Sequence, residues 1–326
     1  MFTRRQFVAA SAGAATLPLA GGAFAQSDYP SGPLRAICMF PPGTGADVLV
    51  RFYANKLAQL SQRTVIVENK PGAFGNIATE YVARAKPDGL TIYIAPGSSV
   101  LAAAPHLFKK LSFDPVNDFE HVTTLSKLAF ILCVPASKPW KTVAELTAYL
   151  KEQGDKASYG SVANTGLVSS EIYKAQFDLK TVEVKYKETS AMFNDLVSEQ
   201  LAFVHIDPVG VKGLIEQGKV RPLALGAAER MKSLPDIPGA REAGIPNSNL
   251  IAWWSVHMPA KTPKPLLDKL EVWFNQIAID PETVKFLGNI GTDPFPGDSK
   301  MLKELLLADT KAWGDYVKLA KIELLG

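Results

Sequence analysis

The chain has 326 residues, more than a single core ordinarily serves, so two domains are expected. With 47% hydrophobic and 21% charged residues, it has the composition of a soluble globular protein. A net charge of +3 without any basic cluster argues against nucleic acid or an anionic membrane surface as a partner.

Residues 1–25 read as an export signal. Thr3-Arg4-Arg5-Gln6-Phe7-Val8 is a twin-arginine pattern, 8–20 is a mild apolar stretch, and Ala23-Phe24-Ala25 is a small-x-small cleavage site. Cleavage after Ala25 leaves 33 basic against 32 acidic residues, a net charge of +1. The apolar stretch is too short for a membrane anchor. The mature protein is therefore expected free in a bacterial periplasm.

The chain then alternates. A strand over 34–40 leads into a helix over 47–60. A strand over 64–68, a turn over 69–75 and a helix over 76–84 follow, and a turn at Pro87-Asp88-Gly89 opens a third strand over 90–95. This is the βαβαβ pattern of an open, mostly parallel sheet, whose ligands bind beyond the carboxyl ends of the strands. A strand over 129–135 and a helix over 142–152, capped by Thr142, begin a second series. It runs through a strand at 158–160, a helix over 165–177, a strand over 181–186, a helix over 191–198, a strand over 201–206, a helix over 208–217 and a strand over 220–225. A Pro- and Gly-rich span, 234–246, ends it; a strand over 253–258 and helices over 264–280, 282–289 and 300–320 complete the chain. Two crossings, near Ala129 and Trp253, predict a bilobed α/β protein: 27–128 with 254–326 as one lobe, 129–253 as the other, and a cleft between them.

Four strand ends are candidates for that cleft. Phe40-Pro41-Pro42-Gly43-Thr44-Gly45-Ala46-Asp47 stops the first strand and starts a helix, with Thr44 and Asp47 spaced as a capping box. Such a loop aims N–H groups and the positive end of a helix dipole at one spot, suited to a carboxylate or phosphate. Ser98 and Ser99 follow the third strand. Ser161, Asn164, Thr165 and Gly166 precede a helix in the second lobe, and Asp207-Pro208 is an N-cap followed by Pro at the first helical position. Each loop alone is explained by helix capping; two in each lobe fit a ligand clamped from both sides. Asp207 has a second role open to it, orienting a ligand amine, hydroxyl or water.

His106, His121, His205 and His257 are scattered without metal-ligand spacing. No nucleophile elbow, zinc-protease, dithiol or phosphate-loop motif occurs, so no catalytic residue, metal or cofactor is implied. Cys38 and Cys133 lie in apolar runs and read as buried core thiols; the periplasm permits a disulfide, but nothing in the sequence pairs them. Trp253 and Trp254 read as hinge packing, with one of them free to face the cleft.

Phe40-Pro41-Pro42-Gly43 with Asp47, Val67-Glu68-Asn69-Lys70-Pro71-Gly72-Ala73 and Pro87-Asp88-Gly89 resemble the opening motifs of the tripartite tricarboxylate transporter solute-binding proteins, the Bug family. Phe113-Asp114-Pro115, Gly218-Lys219-Val220-Arg221-Pro222, Leu234-Pro235-Asp236-Ile237-Pro238 and Pro259-Ala260-Lys261-Thr262-Pro263 continue the resemblance in family order to the C-terminus. It implies a two-lobed periplasmic-binding-protein fold and delivery of a small carboxylate (a di- or tricarboxylate, an acidic amino acid or an aromatic acid) to membrane permease subunits by a monomer. It places the ligand carboxylate on backbone N–H groups of the loop from Pro42 to Asp47, with a second-lobe contribution from Ser161 to Gly166. The chain departs from the family at Thr44, often a second Gly, at Ser169, often His, and at Lys185-Tyr186-Lys187-Glu188, usually Pro-Tyr-Lys-Gly. Tyr186 is carried over as a ligand contact on that match. Two other readings stay open, a periplasmic enzyme exported by the twin-arginine route and a sensory receptor subunit that uses the same cleft.

Overall fold

Strand β1 (Leu34–Cys38) is buried along most of its length and leads through the 40–44 loop into α1 (Gly45–Ser61). On α1, Leu49, Val50, Tyr53, Ala54 and Leu57 recur at helical spacing and form one buried face. The computed structural model describes residues 29–325, and the expected export signal lies outside them. After β2 (Val65–Asn69) come α2 (Asn76–Ala83) and β3 (Thr91–Pro96); a π-helical turn at Gly97–Ala102 then runs into the short α3 (Ala104–Leu107).

The expected strand at 129–135 divides in two. Ala129 ends a long strand, β4 (Phe119–Ala129), and β5 (Ile131–Pro135) begins the other sheet. Sequence reading misses most of β4 because its buried positions include His121, Thr123, Thr124 and Ser126. Two of the hydroxyls bond inside the fold: Thr123 Oγ1 donates to Gly297 O at 2.8 Å and Thr124 Oγ1 to Phe295 O at 2.5 Å.

The middle of the chain forms α4 (Val143–Gln153), β6 (Ser158–Ser161), α5 (Asn164–Phe177), β7 (Val182–Lys185), α6 (Thr189–Val197), β8 (Phe203–Ile206), α7 (Pro208–Glu216) and β9 (Val220–Leu225). Thr142 caps α4 in a full capping box with Glu145. The chain returns with β10 (Ile251–Pro259) and finishes with α8 (Lys264–Ile279), α9 (Pro281–Asn289), β11 (Asp293–Pro294) and α10 (Ser299–Leu319).

One sheet has the order β11-β4-β10-β3-β1-β2 and the other β7-β6-β8-β5-β9. Both are mixed, not mostly parallel as expected. β2-β1-β3 and β7-β6-β8 are parallel, as βα units require, while β10 runs antiparallel to β3 and β4, and β5 antiparallel to β8 and β9. The antiparallel strands are those that lead the chain out of one sheet and back, a direction that alternation of elements does not reveal.

Both tryptophans of β10 are buried. Trp254 packs against Phe40 with ring centres 5.9 Å apart, and Trp253 donates to Asp309 on α10 at 2.9 Å. Cys38 and Cys133 are free, buried thiols in different sheets. The sheets are tied together along one side. Lys212 of α7 donates to Asn289 O at 2.7 Å, and Asp293 of β11 accepts from Lys232 N at 3.0 Å and Ser233 N at 2.8 Å. Val168 and Ile172 of α5 join the apolar cluster that contains Trp253, Leu302 and Trp313.

Candidate functional site

The three parallel strands of each sheet send their carboxyl-end loops to the positions that matter. The 40–47 loop follows β1, Ser98 and Ser99 follow β3, Ser161 to Gly166 follow β6, Tyr186 follows β7 and Asp207 follows β8. The two edges meet: a Cβ on Gly45 at the start of α1 would stand 3.6 Å from Val209 in the first turn of α7.

The start of α1 is braced by its own side chains. Thr44 Oγ1 accepts from Asp47 N at 3.2 Å, one half of the expected capping box. The other half is redirected: the Asp47 carboxylate accepts from Gly43 N at 2.8 Å, from Asn69 Nδ2 at 2.7 Å and from Arg51 Nε at 2.8 Å. Asp47 is 1% exposed. Burial alone would raise its pKa, but the hydrogen bonds from Arg51, Asn69 and Gly43 outweigh it and hold the carboxyl at about 2. Gly43 takes a φ of +83°, which a side chain would strain. The network uses the N–H groups of Gly43 and Asp47 and leaves those of Gly45 and Ala46 without an acceptor among the described residues. Pro42, Gly43 and Gly45 are exposed, while Phe40 is half-buried in the core.

The start of α5 is built differently. Ala163 occupies the N-cap position with extended backbone and has no side chain that can accept, so the N–H groups of Asn164, Thr165 and Gly166 have no acceptor among the described residues. Gly166 lets the helix lie close on β8, since a Cβ there would stand 2.6 Å from His205 O. Ser161 Oγ donates to Glu183 at 2.6 Å. Tyr186 OH donates to Asp195 at 2.6 Å; burial and that carboxylate raise its pKa to about 12.

Asp207 caps α7, accepting from Gly210 N at 2.9 Å, and burial raises its pKa. Ser98 is buried and accepts from Trp313 Nε1 at 3.3 Å, and burial raises the pKa of Asp309 on the same helix as Trp313. Ser99 is half-buried in the π-helical turn, a feature that often sits at functional sites.

Sequence reading overlooked Arg51 and Asn69 as the partners of Asp47. The Asp47–Arg51 spacing of four on one helix was a readable signal. Asn69, which also donates to Phe40 O at 2.9 Å, comes from the next strand and needed the fold to be seen. Among the described residues no three or more His, Cys, Asp or Glu side chains form a metal-binding group, and no helix is long and apolar enough to cross a membrane.

Comparison with known proteins adds relatives to this geometry. The family model described as tripartite tricarboxylate transporter family receptor matches residues 49–322. The solved structure of Rpa4515 with adipate, from R. palustris, is 28% identical with a TM-score of 0.79, covering 91% of this chain and 100% of that one. The periplasmic binding protein BugD is 26% identical with a TM-score of 0.75, covering 91% and 100%. MatC from Rhodopseudomonas palustris, with bound malate, is 25% identical with a TM-score of 0.73, covering 89% and 100%.

Proposed function

The chain belongs to the tripartite tricarboxylate transporter receptor family, and from that premise we propose that it is a periplasmic solute-binding protein that captures a small organic carboxylate for a tripartite transporter. The observation that carries this reading is the pair of helix starts with unspent N–H groups, Gly45 and Ala46 on one sheet and Asn164 to Gly166 on the other. Such N–H groups at the positive end of a helix dipole suit carboxylate oxygens. Adipate in Rpa4515 and malate in MatC support the same ligand class.

In this mechanism the ligand's carboxylate settles on the braced start of α1. Closure of 129–253 onto 27–128 with 254–326 then brings the α5 donors to a second polar group of the ligand. Binding selects the closed form because only that form offers both sets of donors, and the closed form docks on the permease. Residues 1–25 direct export and are removed after Ala25. The binding protein acts as a monomer without catalysis.

A thermal-shift screen of the mature protein against mono-, di- and tricarboxylates, acidic amino acids and aromatic acids tests the reading. Ligand that binds only the folded state must raise Tm once its concentration exceeds Kd. A shift confined to one carboxylate class supports the proposal. If no carboxylate shifts Tm, and none is released on unfolding the purified protein, the proposal fails.

A further inference from the structure

Phe74 is the one aromatic side chain among the strongly exposed apolar residues described, at 62% exposure. It sits in a segment where four successive residues have left-handed φ: Gly72 at +123°, Ala73 at +46°, Phe74 at +51° and Gly75 at +96°. Glycine takes this conformation freely, whereas a bulky side chain such as that of Phe does so only at a conformational cost. Two residues on, the Asn76 Oδ1 is buried without a donor. Ring packing does not repay these costs, because among the described residues the ring's one aromatic neighbour is Phe108, met edge-on at 6.5 Å. Strain and unsatisfied polar groups of this kind gather at ligand clamps.

The segment is fixed beside the start of α1. Lys70 N donates to Cys38 O at 2.8 Å, joining the ends of β1 and β2. A Cβ on Gly75 would stand 2.8 Å from Met39 Sδ and 3.1 Å from Val100 Cγ1, so the turn is wedged between the ends of β1 and β3. Phe74 therefore stands out from the same carboxyl edge that carries Gly43, Gly45 and Ala46. Val209 and Val48, both exposed, add apolar surface around Gly45.

Resting on the carboxylate-binding reading, we infer that Phe74 is a specificity-determining ligand contact. Its ring covers the hydrocarbon body of the ligand, selecting carboxylates with an aromatic ring or a chain of several methylenes over compact hydroxylated acids. The N–H groups of α1 and α5 grip oxygens and do not distinguish one carboxylate from another. Discrimination then falls to apolar surface, where an aromatic side chain offers a large area with few rotatable bonds.

The test compares adipate and benzoate with malate in titration calorimetry on the wild type, Phe74→Gly and Phe74→Leu. The wild type is expected to bind adipate or benzoate more tightly than malate. Phe74→Gly is expected to lose about tenfold in affinity for the preferred acid and less than about twofold for malate, with Phe74→Leu between them. Its Tm without ligand should stay level or rise, because glycine relieves the left-handed strain; a ring needed for folding would lower Tm instead. Equal losses for all three acids, no loss at all, or tighter wild-type binding of malate overturns the inference and leaves the carboxylate reading intact. A wild type that binds no carboxylate overturns both.

Discussion

At the start of α1, the Asp47 carboxylate and the Thr44 hydroxyl use the N–H groups of Gly43 and Asp47, and Arg51 and Asn69 hold Asp47 in place. At the start of α5, Ala163 stands where a capping residue would, and the first-turn amides have no acceptor in the described chain. A side-chain cap contributes about 1 kcal/mol to a helix, so α5 gives up that much stability. The difference teaches a division of labour. On the proposed reading, the side-chain-braced α1 loop fixes where an anion sits, and the α5 start keeps its donors for what arrives on closure.

The α1 start is most exposed to change at Gly45, which has no left-handed φ and tolerates a side chain as far as its backbone is concerned. Gly45→Phe places a ring against Val209 and over the Gly45 and Ala46 amides. Affinity for the ligand is expected to fall by about a hundredfold or more, some 2.7 kcal/mol, with little change in Tm. Affinity within about threefold of wild type would remove α1 from the site.

Asp47→Ala tests whether rigidity of the first loop is built by side chains. It strips the partner from Gly43 N, Asn69 and Arg51, a set that includes a buried charged acceptor, and is expected to cost about 2 kcal/mol of stability in urea unfolding. Ligand affinity should fall with it, because the 43–46 backbone loses its brace. Asp47→Asn, which keeps two of the acceptor contacts, should recover part of both.

Both helix starts were legible in the sequence, but the difference between them was not, because capping was expected at each. The Pro-Pro-Gly stop, Thr44 and Asp47 marked the α1 start, and Ser161 to Gly166 marked the α5 start by their small polar residues. The fold adds partners that the sequence does not show. Thr44 and Asp47 do cap, yet Asp47 reaches back to Gly43 because Arg51 and Asn69 draw its carboxylate away from the Thr44 amide. Ser161 has the chemistry of a ligand contact, but its hydroxyl turns to Glu183 across a strand pair that register alone reveals. Ser98 reads as a cleft hydroxyl, and the fold adds a donor to it, Trp313, from a helix some two hundred residues later in the chain. β4 stayed hidden because a central strand that buries Thr, Ser and His carries no apolar alternation to read.

A pH effect concerns the frames beneath both starts. His121 and His257 face each other across β4 and β10 with Nδ1 atoms 2.9 Å apart, and His205 lies under α5 against Ser170 at 3.0 Å. Burial pulls His121 down to about 4 and His205 to about 3, and it lowers His257 well below its ordinary range. All three are neutral in the fold and protonate first in the unfolded chain. Their contribution is therefore complete above pH 6.5 and is lost as pH falls from there towards 4. Each ring should cost on the order of 2 kcal/mol of stability between pH 7 and pH 5. A flat urea midpoint over that interval would show that the rings are not buried as neutral species.

The central claim is that the α5 start is left uncapped to receive the ligand, and Ala163→Asp puts it to the most direct test. Ala163 is exposed and its backbone already has the extended geometry of a capping residue. An aspartate there is expected to bond the free amides, raise the Tm of the ligand-free protein through about 1 kcal/mol of added stability, and weaken carboxylate binding by about tenfold or more. A raised Tm with wild-type affinity would mean that the α5 amides do not meet the ligand, and the two-sided clamp would be wrong.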